Sequence, residues 1–217
     1  VHILIVHSLL VRLGGIIMNR YISDLHLGHT NVIKFDNRPF ESLEEMHKTI
    51  ITNWNEVTNQ NDTVYILGDF CWETEAGWEK YLKELSGKKV LIRGNHDLKA
   101  PSSKIKRYFL DIKDYKEITD NGRHVIMKHT PDPMHKAAYN PNCYMLYGHV
   151  HKTREERFMR KWRHEIRMSC TQSGHNRGQW YNVGCMMPWM DFTPRTLDEI
   201  IEEEKKYGLS FPGLKED

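Results

Sequence analysis

The sequence has few cysteines, no paired cysteine motif and almost no excess of charge of either sign. The four cysteines among its 217 residues include no Cys-x-x-Cys pair, which argues against a zinc ribbon and against a disulfide framework. The simplest interpretation is free thiols in a reducing cytosol, so we expect a cytoplasmic protein. The formal net charge of +2 gives no reason to expect a nucleic-acid or membrane surface.

A long apolar run is also missing. The most apolar stretch, residues 1–11, is interrupted by two histidines, is too short for a membrane span, and lacks the basic start and cleavage site of a signal peptide. An extra strand or a disordered arm is one interpretation of residues 1–17. We favour an upstream, non-native extension with Met18 as the natural start, because the preceding Leu-Gly-Gly-Ile-Ile can be encoded as a ribosome-binding site. Residues 18–217 would then form a single domain.

What the sequence does contain is an alternation of short β-rich runs and helical patterns. The predicted strands are Arg20–Ser23, Thr63–Leu67, Lys89–Arg93, His124–Lys128 and Tyr144–Tyr147. The predicted helices are Ser42–Val57 and Thr196–Lys206, each opened by a capping box, and Glu75–Leu85, which Gly87 ends. This order predicts an α/β fold, a layered sandwich with mixed sheets.

One segment, residues 152–178, is polar and shows little periodicity. We interpret it as an insertion or a flap. Its basic run from Arg154 to Arg167 alternates with Phe158, Met159 and Trp162. That pattern fits a surface for a phosphate-rich substrate, although a solvated flap is the preferred interpretation.

Each of the five predicted strands ends in residues that can bind a metal ion. In chain order they are Asp24, His26, Asp69, Asn95, His129, His149 and His151. Groups at the carboxyl ends of strands converge on one crevice in layered α/β folds. Imidazole and carboxylate suit borderline divalent ions such as Mn, Fe, Zn, Ni or Co. We expect both members of the Asp-x-His and His-x-His pairs to reach metals, because residues i and i+2 of an extended segment point to the same side.

This ordered set resembles the calcineurin-like metallophosphoesterase superfamily. Asp-x-His, Gly-Asp, Gly-Asn-His-Asp, His and Gly-His-x-His follow one another as they do in that superfamily. Its small bacterial and phage members, with an SDLHLGH-type motif followed by Asn-Arg-Pro-Phe, are the most similar. The resemblance covers about Met18 to Ile201. It implies an α/β/β/α sandwich and a metal-dependent phosphoester hydrolase with two divalent ions, Mn favoured, and a metal-bridging hydroxide as nucleophile.

The resemblance also implies a role for each matching residue. The first metal would be held by Asp24, His26 and His151, the second by Asn95, His129 and His149, with Asp69 between them. His96 would stabilise the transition state or protonate the leaving group, and Asp97 would set the orientation of His96.

Three further residues follow the first motif and are candidates for binding the substrate phosphate: His29, Asn31 and Arg38. A guanidinium binds phosphate through two hydrogen bonds, but a surface arginine beside the turn at Pro39 is an equally open interpretation. The tryptophans Trp54, Trp72 and Trp78 fit helix packing or a pocket wall, with core packing as the default.

We expect the substrate to be a small phosphorylated, nucleotide-like molecule, and we favour a phosphodiester over a phosphomonoester. A nuclease or a phosphoprotein phosphatase on the same metal site is the alternative. A non-catalytic scaffold is a third interpretation, but such a chain should lack ligands or the proton donor, and this one lacks none. No nucleic-acid-binding module is indicated.

Overall fold

The computed structural model describes residues 17–134, 136–138, 140–170, 178–210 and 212–214. The predicted N-terminal extension falls almost entirely outside these residues, as does the 171–177 part of the predicted flap. Within the described part of the chain, no helix combines the length and apolar character needed to cross a membrane.

The first sheet consists of four parallel strands in the order of the chain. They are β1 (Asn19–Ile22), β2 (Thr63–Ile66), β3 (Lys88–Ile92) and β4 (Asp111–Lys113). The helices between them are α1 (Val32–Phe35), α2 (Leu43–Val57), α3 (Glu75–Glu84) and α4 (Ser103–Lys106). Because parallel neighbours need a crossover each time, the carboxyl ends of these strands all lie at one edge.

Helix α2 shows how the sequence sets these elements. The Ser42 hydroxyl accepts a hydrogen bond from the Glu45 backbone N–H at 3.1 Å and caps the first turn. Met46, Ile50 and Trp54 follow at four-residue spacing and are fully buried against the first sheet's core.

The second sheet is mixed and has the order β5-β6-β7-β8. Its strands are β5 (Tyr115–Asp120), β6 (Arg123–Lys128), β7 (Cys143–Tyr147) and β8 (Trp180–Asn182). Strands β5 and β6 form an antiparallel hairpin, and the other neighbours are parallel. A 3-10 turn, Lys136–Ala138, precedes β7; helix α5 (Arg154–Cys170) connects β7 to β8, and α6 (Leu197–Glu204) follows β8.

Side chains alternate between the two faces of this second sheet. Val125 and Met127 face the main core shared with the first sheet. Ile126 and Met145 belong to a separate cluster that includes Met159 of α5. The period of two therefore places α5 on the outer face, and the predicted α/β/β/α sandwich is confirmed, with one all-parallel sheet and one mixed sheet.

The two sheets meet at their edges. The Ser23 backbone N–H donates to the Val183 carbonyl, and the Cys185 N–H donates to the Ser23 carbonyl, each at 2.8 Å. An antiparallel bridge between Tyr21 and Arg195 continues this contact. The segment after β8 thus extends the pairing of β1 and fixes the residue that directly precedes Asp24.

All five predicted strands and all three predicted helices are present within one or two residues of their expected ends. The interpretation of residues 152–178 as poorly periodic is wrong for 154–170, which form the 17-residue helix α5. The buried face of α5 carries Glu156, Arg160 and Arg163 beside Met159, so charged residues occupy positions where a helix pattern normally shows apolar ones. Movement of this segment as a flap stays a prediction.

Candidate metal centre

The loops after β1 and β2 are joined to each other by backbone hydrogen bonds. The Asp24 N–H donates to the Gly68 carbonyl at 3.0 Å, and the His26 N–H donates to the Asp69 carbonyl at 2.9 Å. Gly68 is required in this contact, since a Cβ there would overlap with the His129 ring and its own φ is +92°. The pairing brings the first two motifs together at the carboxyl edge of the sheet.

Five of the seven predicted ligands have left-handed backbone conformations. Their φ angles are 56° at Asp24, 50° at His26, 51° at Asp69, 70° at His149 and 47° at His151. The expected extended geometry of the Asp-x-His and His-x-His pairs is therefore wrong. Both members of each pair reach the site because the chain coils sharply, a conformation that costs non-glycine residues about 1 kcal/mol each and that clusters at functional sites.

Four of the predicted ligands form a tight group. Ligand atoms of Asp24, His26, Asp69 and His151 all lie within 4.8 Å of one another. His26 Nε2 is 3.6 Å from Asp69 Oδ2, and His151 Nε2 is 3.5 Å from Asp24 Oδ1. Such a set of two carboxylates and two imidazoles could hold one divalent ion.

The other three predicted ligands form a second group beside the first. Asn95 Oδ1 lies 3.0 Å from His129 Nε2 and 2.9 Å from His149 Nδ1. His129 Nε2 is also 3.5 Å from Asp69 Oδ2. The contact of His129 Nδ1 with the Leu67 carbonyl at 2.7 Å directs Nε2 towards the site. Asp69 consequently stands between the two groups.

Two carboxylates give the first group its negative charge, and a metal ion bound there would take the place of the proton that His151 otherwise holds. Burial works to raise the pKa of Asp24, but the nearby imidazoles, above all His151, hold it well below its usual range. Burial lowers the pKa of His26 to about 4, so that this ring is neutral and able to bind a metal. The rings of His26 and His151 face each other, with their Nε2 atoms 3.2 Å apart. Nitrogen and oxygen donors of this kind fit borderline divalent ions.

Asp97 connects the loop after β2 with its own loop after β3. Its carboxylate accepts hydrogen bonds from the backbone N–H groups of Asp69 at 3.0 Å, Phe70 at 2.8 Å and Gly94 at 2.8 Å. Burial raises the pKa of Asp97 to about 6. The contacts of this carboxylate hold the loops that carry Asp69 and Asn95, whereas the expectation was an orienting contact to His96.

His96 is exposed, with its backbone N–H donating to Asp69 Oδ1 at 3.0 Å. Its ring lies 5.9 Å from the His26 ring and 4.3 Å from the Trp72 ring, measured between centroids. A side chain in this position is open to a bound substrate while its backbone is tied to the metal group.

Arg38 is engaged inside the protein, whereas the sequence suggested either a contact with the substrate phosphate or a surface position. Its guanidinium is buried, pairs with Asp36 at 2.9 Å and donates to the carbonyls of Asp24 at 2.8 Å and Leu25 at 3.0 Å. Asp36 in turn contacts His151 Nδ1 at 2.7 Å through its other oxygen. Burial opposes protonation of His151, but Asp24 and Asp36 together raise its pKa to about 10. Arg38 therefore positions two ligands through Asp36 and the backbone.

Asp36 was missed at the level of the sequence. The available signal was its place directly before the Asn-Arg-Pro segment of the motif, but a lone carboxylate in a short helical turn gives no indication of its partner.

The other two substrate candidates differ in position. The His29 ring stacks on Trp72 at 4.2 Å with an interplanar angle of 11°. Asn31 is exposed, caps α1 by position and makes no side-chain capping bond. The structure brings His29 to the edge of the metal group, 5.7 Å from the His26 ring between centroids.

Comparison with known proteins agrees with this geometry. An uncharacterised protein of Methanocaldococcus jannaschii is 36% identical over 132 residues, which cover 60% of this chain and 67% of that protein. The gene 66 protein of Mycobacterium phage D29 is 29% identical over 160 residues, covering 60% of this chain and 77% of the phage protein.

Among solved structures, a protein of unknown function from Aquifex aeolicus superposes with a TM-score of 0.61 and 29% identity. The superposition covers 86% of this chain and 99% of the Aquifex protein. The family model of the calcineurin-like phosphoesterases matches residues 21–189, a span that contains all seven candidate ligands and both sheets. The chain is therefore a hydrolase of phosphoesters and belongs to the calcineurin-like phosphoesterase family.

Proposed function

We propose that the protein is a phosphodiesterase with two divalent ions, preferably Mn²⁺, acting on a small phosphorylated substrate. The observation that carries the proposal is the position of Asp69 Oδ2, which lies 3.6 Å from His26 Nε2 and 3.5 Å from His129 Nε2. Of the protein's side chains, only a carboxylate can serve two cations at once and lower their combined charge. Asp24, His26 and His151 would complete the first metal site, and Asn95, His129 and His149 the second.

The ions would supply Lewis acidity and a nucleophilic water at neutral pH. The chain's own residues would orient the metal ligands and protonate the leaving group. Asp36 and Arg38 fix the ring of His151, and the Leu67 carbonyl fixes the ring of His129. His96, exposed beside the first group, would deliver a proton from a ring nitrogen to the departing oxygen of the ester.

The internal role of Arg38 favours a diester substrate. A dianionic monoester gains most from fixed cations beyond the metals. Arg38 is the arginine that the sequence suggested for this task, and its guanidinium is buried and bound to Asp36 and to backbone carbonyls. A singly charged diester needs less charge compensation from fixed cations, so the residues at this site suit a diester better than a monoester.

The state of the cysteine thiols supports a proposal for the protein's cellular compartment. Cys71, Cys143 and Cys185 are free and buried, which supports a reducing compartment such as the cytoplasm.

The proposal is tested by comparing kcat/KM for bis-nitrophenyl phosphate and nitrophenyl phosphate with the Mn²⁺-loaded protein. We expect the diester to be preferred by roughly tenfold or more, equivalent to about 1.4 kcal/mol in the transition state. A metal-depleted sample is the control and should hydrolyse neither compound. A preference for the monoester would refute the diester assignment, and no hydrolysis with any divalent ion would refute the hydrolytic function.

A further inference from the structure

Trp72 differs from the other tryptophans near the first sheet. Trp54 and Trp78 are fully buried, whereas 46% of Trp72 is exposed. Its backbone N–H donates to the Leu27 carbonyl at 2.8 Å, which continues the pairing between the loops after β1 and β2. The sequence suggested core packing as the default for all three. The structure instead holds Trp72 rigidly at the surface, beside the candidate metal ligands.

The Trp72 ring lies beside a candidate metal ligand and contacts two further histidines of the site. It stacks on His29, lies against His96 at 4.3 Å with a tilt of 44°, and is 6.2 Å from the His26 ring between centroids. Phe35 extends the same surface, with its ring 6.0 Å from His29 in an edge contact and 59% of the residue exposed. We call Trp72, His29 and Phe35 the aromatic shelf.

The shelf is an apolar surface that folding leaves uncovered. A large aromatic side chain that stays in water forgoes the considerable free energy of burial. Single exposed aromatic residues, scattered over a surface, are nevertheless common. Here two exposed rings and a stacked imidazole are contiguous and border a site for a charged group. An apolar surface beside a few convergent polar groups is the usual composition of a small-molecule site.

We propose that the aromatic shelf binds a planar aromatic group of the substrate, of the nucleobase class, while the phosphoryl group lies at the metal centre. This inference rests on the proposed function and names its substrate class. A base stacks on aromatic side chains through its π-face without a specific pattern of hydrogen bonds. The backbone hydrogen bond of Trp72 and its stacking on His29 hold the ring beside the metal group without a ligand, which reduces the entropy cost of binding.

The test is a calorimetric measurement of binding that does not depend on turnover. One compound is a phosphinate analogue of the methyl diester of adenosine monophosphate, in which carbon replaces both ester oxygens, so that it carries the single charge of a diester and cannot be hydrolysed. The other is the corresponding ribose phosphinate without a base. The Mn²⁺-loaded wild-type protein should bind the adenosine compound roughly tenfold more tightly.

Trp72→Leu should bring the ratio of the two Kd values close to one and leave the Kd of the ribose compound unchanged, whereas Trp72→Phe should keep most of the ratio. Phe35→Leu removes a ring that contacts the rest of the shelf through His29, whereas Trp72 contacts both His29 and His96, and it should reduce the ratio less. The matched control is Trp162→Leu on α5, where Trp162 is 41% exposed and packs on Trp180; it should leave the ratio at the wild-type value.

Two results would overturn the proposal: equal affinities in the wild-type protein, or a ratio that Trp72→Leu and Phe35→Leu both leave unchanged. If the protein still hydrolyses bis-nitrophenyl phosphate, the shelf's role alone is refuted. A protein that neither hydrolyses this diester nor binds either phosphinate would refute the proposed function as well.

Discussion

Each carboxylate oxygen of Asp69 has its own neighbours. Oδ1 accepts a hydrogen bond from the His96 backbone N–H at 3.0 Å, while Oδ2 faces His26 and His129. One side chain thus connects the loop that carries the candidate proton donor with both groups of candidate ligands. A neutral amide of the same size would keep the first contact and lose the negative charge between two cations.

We expect Asp69→Asn to lose metal and activity together. Metal affinity should fall by more than about 100-fold, the upper end of the loss seen when even an outer partner of a metal ligand is removed. Elemental analysis of the purified variant measures this directly.

The matched control for this substitution is His96→Ala, which removes a side chain from the same site but no proposed ligand. It should retain both metals while turnover falls by roughly 10²–10⁴-fold, as for loss of a general acid. Two metals per chain in Asp69→Asn would contradict the bridging role.

At this scale, the sequence predicts which residues converge, because five strand ends deliver them and the parallel pairing within each sheet brings its strand ends to one edge. It does not predict the partners of Arg38. Its guanidinium is buried with Asp36 and bonded to the carbonyls of Asp24 and Leu25, and that arrangement depends on tertiary packing rather than on local pattern.

Among the elements, helix α5 differs most from the expectation. Arg160 and Arg163 lie on its buried face, and both pair with Glu204 of α6, which is 3% exposed. Glu156, on the same helix, accepts from the Asn182 side chain at 3.0 Å. A polar sequence can therefore form a buried helix face when its charges are matched, and periodicity of apolar residues alone cannot reveal this.

Glu204→Gln should destabilise the protein by about 3 kcal/mol, because it leaves two buried guanidinium groups without their carboxylate. The control is the neighbouring Glu203→Gln, which removes a carboxylate that pairs with the exposed Lys206 and should cost less than about 1 kcal/mol. Denaturant unfolding measures the free energy of unfolding of both variants. Equal values would mean that the cluster of Arg160, Arg163 and Glu204 contributes no more than a surface ion pair.

At the scale of the whole molecule, the main hydrophobic cluster forms without any contribution from the metal site. The main cluster joins both sheets with α2, α3 and α6. The candidate ligands lie at its edge, on strand ends and loops that are fixed by backbone hydrogen bonds. Metal binding should therefore matter more for activity than for folding.

Removal of metal with a chelator should abolish hydrolysis and leave the far-UV circular dichroism spectrum largely unchanged. The melting temperature should fall, since a ligand that binds only the folded state stabilises it. Activity should return when Mn²⁺ is added back. A spectrum typical of an unfolded chain after chelation would show that the core is insufficient on its own.

The edge contact between the two sheets has a consequence for how the molecule is made. The residue before Asp24 is held by Val183 and Cys185, and Tyr21 by Arg195, and the ribosome adds all three of these partners long after Asp24. Contacts so distant in sequence form late in folding. We therefore expect a nascent chain to lack a complete site until the segment after β8 has been synthesised and has paired with β1.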